Sequence, residues 1–98
     1  MSNGSCSLTE ADLQAQLERY RTIGAGSRVQ RHSATTLVVA VGSSVPDELV
    51  EHVVSTERSC CPFFEVDWRP RERTLLVAVP RCEQVPALET IAGALISD

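Results

Sequence analysis

The residues best suited to chemistry are concentrated in one stretch, Glu57-Arg58-Ser59-Cys60-Cys61-Pro62-Phe63-Phe64. Two neighbouring thiols stay close together whatever the rest of the chain does. Thiolate ligands select soft, thiophilic ions. A lone cysteine is more often a small buried apolar residue, whereas a vicinal pair bounded by a proline and two aromatics calls for a chemical role. Glu57 precedes the pair by three and four residues, so on a helix it shares their face. Its carboxylate could ligate an ion, take the proton a thiol releases, or turn outward to Arg58 and solvent. Two further cysteines, Cys6 and Cys82, stand apart from the pair. Adjacent thiols supply two bonds of a trigonal site, and the third donor is open among Cys6, Cys82 and Glu57.

The elements around the pair follow from pattern and breakers. Ser44 to Ser59 reads as a helix capped by Ser44, with Pro46 in its first turn and Asp47 at the capping-box position. Its apolar stripe runs through Leu49, Val50 and Val53 to the cysteines. Pro62 pushes Cys61 out of the α region, so the helix ends near Cys60 and the pair lies at the corner before a strand. That strand, Phe63 to Trp68, puts Phe64, Val66 and Trp68 on one face. Arg69 to Arg73 turns the chain into a second strand, Thr74 to Val79, with Leu75, Val77 and Val79 on one face. A closing helix spans Cys82 to Ser97, with Leu88, Ile91, Ala92 and Leu95 as its stripe. By position Cys82 is as good a buried filler as a ligand.

Upstream, residues 1–7 form a polar arm carrying Cys6. Thr9 and Asp12 cap a first helix, Leu8 and Leu13 staple it, and Leu13, Leu17 and Tyr20 form its stripe until Gly24-Ala25-Gly26 ends it. Ser27–His32 is a polar, edge-type strand paired with Thr35–Val41. His32 reads as an exposed turn residue. His52 lies about 12 Å from Cys60 along a helix by its rise per residue, too far to share an ion through that helix. The expected fold is α+β in the order αββαββα. A four-stranded, mainly antiparallel sheet of two hairpins carries the helices on one face. Residues 8–98 form one domain after the arm.

Size and charge narrow the function classes. The chain has 98 residues, 43% hydrophobic and 22% charged, with a net charge of −4. That suits one small soluble domain. The densest basic run, Arg69-Pro70-Arg71-Glu72-Arg73, is a turn, so direct nucleic-acid binding is not expected. No apolar run approaches membrane-spanning length, and Met1 to Cys6 has no secretory pattern. A cytoplasmic protein is the expectation. Thiols stay reduced there, so four cysteines point to metal binding or reactivity rather than disulfides.

The Glu57-Arg58-x-Cys60-Cys61-Pro62-Phe63-Phe64 motif, followed by an alternating hairpin and a closing helix, resembles a known domain. It is the small domain attached to some actinobacterial MerR-type, heavy-metal-responsive regulators, which also occurs as a stand-alone protein. Cys6-Ser7-Leu8 through Arg21 matches that family's cysteine and Leu-rich helix, so the resemblance covers most of the chain. It implies a three-thiolate site of Cys6, Cys60 and Cys61, with Glu57 beside it. The ion would be Hg(II), As(III), Cd(II) or Zn(II). An accessory metal-binding or sensing role follows, with a transcriptional regulator as candidate partner; the oligomeric state stays open, a homodimer being one option. The winged-helix DNA-binding region is missing, and Cys82 lies outside the family pattern. Two alternatives stand beside this. One is a small thiol-disulfide or metalloid reductase, disfavoured by the absence of Cys-x-x-Cys and the strain of a disulfide between neighbours. The other is an interaction domain with structural cysteines. A helix C-terminus disfavours a bare thiolate at Cys60, and a bound cation reverses that. The corner therefore suits a metal receptor better than a redox catalyst.

Overall fold

Thr9 caps the first helix as its sequence requires. Its Oγ1 accepts a hydrogen bond from the Asp12 backbone N–H at 3.1 Å, and Glu10 and Asp12 sit at the positive end of the helix dipole. The structure, a computed structural model, describes residues 9–60 and 64–96. Its elements are α1 (Glu10–Ala25), β1 (Arg28–Ser33), β2 (Thr36–Ala40), α2 (Asp47–Cys60), β3 (Glu65–Arg69), β4 (Thr74–Ala78), a 3-10 turn (Cys82–Gln84) and α3 (Val85–Ile96). The order is αββαββα, as the pattern of periods and breakers predicts.

The sheet runs β1-β2-β4-β3, with every neighbouring pair antiparallel. Two hairpins thus join through their second strands, Leu37 opposite Val77 and Val39 opposite Leu75. The composition explains the order. β2 and β4 are the Val- and Leu-rich strands and take the centre. β1 (RVQRHS) and β3 (EVDWR) are polar or charged and can face water at the edges.

Alternation places Leu37, Val39, Val66, Leu75 and Val77 on the covered face, all buried against Tyr20, Ile23, Val50, Val53, Leu88, Ile91 and Leu95 of the helices. α2 lies over β3, α3 reaches β1, and α1 packs across both helices. The contact between α1 and α3 is very close at Gly24. A Cβ there would stand 1.8 Å from the Leu95 carbonyl oxygen, so only glycine fits.

Three local expectations need correction. The buried side of α1 is Gln16, Tyr20 and Ile23, whereas Leu13 is 38% exposed. Of the apolar stripe, Tyr20 is in the core and Leu17 packs against it, while Leu13 lies at the margin. α2 begins at Asp47 rather than Ser44, because Gly42 to Val45 close a turn through the Val45 N–H and the Gly42 carbonyl. Asp47 accepts from Arg73 Nη1. Arg73, at φ 50°, also donates from Nη2 to the Gly42 and Val45 carbonyls and lies 5.7 Å from the Trp68 ring centre. One arginine thereby ties the β3–β4 turn to the start of α2. Finally, the closing helix opens as a 3-10 turn, and Cys82 within it is exposed, which removes its reading as a buried filler.

Candidate functional site

α2 carries the site because its stripe does not end in apolar residues. Val50, Val53 and Val54 are buried, and one turn later the same face presents Glu57, which is 2% exposed. The outward-turned alternative for this acid is thereby excluded. Arg58 points elsewhere, donating from Nη2 to the Val66 carbonyl at 2.9 Å.

Burying a carboxylate is costly unless donors meet it, and α1 supplies two. Tyr20, fully buried, donates its hydroxyl to Glu57 Oε2 at 2.8 Å. Gln16 Nε2 donates to the same oxygen at 3.1 Å and to the Val53 carbonyl at 3.1 Å. Arg19 Nη1 in turn donates to Gln16 Oε1 at 2.7 Å, which fixes the amide's orientation. Glu57 Oε1 is buried and has no hydrogen-bond partner among the described residues. Burial pushes the Glu57 carboxyl above its ordinary range, an effect the Gln16 and Tyr20 hydrogen bonds partly offset. Burial, and then the Glu57 charge beside it, raises the Tyr20 hydroxyl well above the ordinary tyrosine range. Tyr20 therefore stays a donor at neutral pH.

Glu57 forms part of the wall of a cleft of about 180 Å³ between α1, α2 and α3, with Leu13, Leu17, Tyr20, Phe64 and Ile91. Leu13 comes from the first turns of α1, Glu57 from the last turn of α2, and Phe64 from just beyond the cysteine corner. The first half of α1 and the last turn of α2 thus share one cleft.

Of the sequence-derived site residues, Cys60 is the last residue of α2, half-buried and packed against the edge of the core. Cys6 and Cys61 lie outside the described residues. Among the described residues, no three of His, Cys, Asp and Glu gather closely enough to hold an ion. Cys82 forms no part of the cleft wall. His32 and His52 are exposed. Gln16, Tyr20 and Arg19 are the participants the sequence reading missed. The available signal was a glutamine on the inner side of α1, at i and i+4 with Tyr20. Family models, curated proteins and solved structures provide no match to this chain.

Proposed function

We propose that the chain is a receptor for a thiophilic ion or metalloid. Cys60 and Cys61 supply two sulfurs and Cys6 the third, in an accessory metal-binding or sensing role. The observation that carries the reading is the cleft shared by the first half of α1 and the last turn of α2, with Leu13, Glu57 and Phe64 in its wall. Cys6 is three residues before Thr9, so the chain between them can span roughly 10 Å when extended. In this reading Cys6, on the segment before α1, completes the site begun by the vicinal pair.

Charge supports a cation here. The C-terminal end of α2 is the negative end of its dipole, and the Glu57 carboxylate adds to it one turn away. Arg58 is committed to the Val66 carbonyl. A soft cation bound in that field is stabilised, and coordination holds its thiol ligands deprotonated. Glu57 acts as a positioning group. Its hydrogen bonds to Tyr20 and Gln16 fix the last turn of α2 against α1. Hg(II), As(III), Cd(II) and Zn(II) are the candidate ions and a transcriptional regulator the candidate partner.

Native mass spectrometry of the parent, Cys6→Ser and Cys82→Ser with Hg(II), Zn(II) and As(III) tests the assignment. One As(III) per chain is expected in the parent and in Cys82→Ser, with weakened retention in Cys6→Ser. The reverse pattern moves the site to the start of α3.

A further inference from the structure

The cleft beside Glu57 has a chemistry of its own, independent of the thiols. Its volume of about 180 Å³ slightly exceeds the roughly 150 Å³ of an engineered apolar cavity that binds benzene. Its walls are mostly apolar, from Leu13, Leu17, Phe64, Ala87 and Ile91. Glu57 is the one acidic residue among the described wall residues, and its Oε1 is buried without a hydrogen-bond partner among the described residues. Such groups are rare in folded proteins and each calls for a reason.

The surroundings specify what is missing. Oε2 already accepts two hydrogen bonds, so among the described residues the remaining demand is for one donor at Oε1. That oxygen is buried in the cleft wall and is reached only when the wall side chains shift to admit a ligand. Among the described residues no cation pairs with Glu57: the four ion pairs all lie elsewhere. The nearest bases by sequence and network are Arg58 and Arg19, held by the Val66 carbonyl and Gln16 Oε1. A buried carboxylate with no counter-charge is costly, and a ligand carrying both a donor and a positive charge relieves both deficits. Leu13, unusually exposed for its size, lies on the wall of the cleft, where a bound molecule would cover it.

We infer that the cleft between α1, α2 and α3 is a binding site for a small apolar primary amine, its hydrocarbon body on Leu13, Leu17, Phe64 and Ile91 and its ammonium group on Glu57. The size fits a single ring or a branched alkyl group with one short amine arm. The pattern is that of small-molecule sites in general, an apolar cavity with few placed polar groups. Binding requires neither the cysteines nor an ion.

The test uses the full chain, metal-free, with benzylamine as the probe, followed by 1H–15N NMR titration. Toluene and benzyl alcohol are the comparison probes. Saturable benzylamine binding is expected, with shifts centred on Gln16, Tyr20, Phe64 and Ile91, and at least tenfold tighter than either comparison probe. Glu57→Gln should reduce benzylamine affinity at least tenfold while leaving toluene affinity within threefold. Should Glu57→Gln fail to fold, the ranking of the three probes on the parent protein decides. The inference is overturned if benzylamine does not saturate at millimolar concentration, if toluene or benzyl alcohol binds as tightly, or if folded Glu57→Gln binds benzylamine like the parent. Repeating the titration with Cys60→Ser separates this site from the thiols, because amine affinity there should match the parent, and a loss of affinity would overturn the claim of independence.

Discussion

Replacing Tyr20 with Phe removes one oxygen and leaves the ring, so it isolates a single hydrogen bond in a fully buried setting. The hydroxyl donates to Glu57 Oε2 at 2.8 Å, and Oε1 has no partner among the described residues, so the substitution leaves Gln16 as the only described donor to the carboxylate. A hydrogen bond to a charged group contributes about 1.5–3 kcal/mol, and a neutral one about 0.5–1.5 kcal/mol. With Glu57 ionised, Tyr20→Phe should therefore cost about 1.5–3 kcal/mol. For a domain of this size that lowers Tm by roughly 6 °C or more. Tyr20 hydrogen-bonds to the ionised carboxylate and lowers its raised pKa, so the variant should carry Glu57 still further above its ordinary range. The penalty should then shrink to about 1 kcal/mol at acid pH, where the carboxyl is protonated. Urea unfolding followed by circular dichroism, for parent and variant between pH 4 and 8, measures this. A cost below about 0.5 kcal/mol across the range, less than even a neutral hydrogen bond contributes, would refute the network. So would a pH-independent cost.

Glu57 titrates with a raised carboxyl pKa in the folded chain, so the folded state binds the extra proton. Its contribution is present below the ordinary carboxyl value and is lost as pH rises through the folded value. Glu57→Gln should abolish that part of the pH slope, seen as a flatter stability profile above pH 4.5 in the same unfolding series. Gly24→Ala drives a methyl to 1.8 Å from the Leu95 carbonyl oxygen and should cost about 2 kcal/mol or more, in the range of overpacked cores. A thermal scan showing no loss would mean that α1 and α3 do not meet there. Arg73→Ala removes donors from the Gly42 and Val45 carbonyls and from Asp47. It should lower stability by about 1–3 kcal/mol, with amide exchange quickening first at the start of α2.

The αββαββα order is legible because its signals are local: the Thr9 cap, Gly26 at the end of α1, and period-two alternation in β2 and β4. The two central strands are also the two most apolar, which makes the sheet order intelligible once pairing is known. The start of α2 was misjudged because Ser44 is a good cap by type, while a turn closed by Gly42 and a long-range arginine decide where the helix begins. Glu57 was recognised on the core-facing stripe from its spacing to the cysteines. Its partners were not, because Gln16 and Tyr20 lie some forty residues away and meet it only through the packing of α1 on α2. The apolar stripe of α1 does reach the core, through Tyr20 and Leu17. The same stripe also lines a cleft, with Leu13 at its exposed margin, which period alone does not contain.

The central claim is that the vicinal pair at the end of α2 is a receptor for a soft ion, and a competitive titration tests it most directly. The parent, Cys60→Ser and Cys61→Ser are each titrated with As(III) against dithiothreitol, with folding checked by circular dichroism. The account predicts that each single substitution weakens As(III) binding at least roughly tenfold, about 1.4 kcal/mol, with secondary structure unchanged. Parent-like As(III) affinity in both folded variants would contradict it.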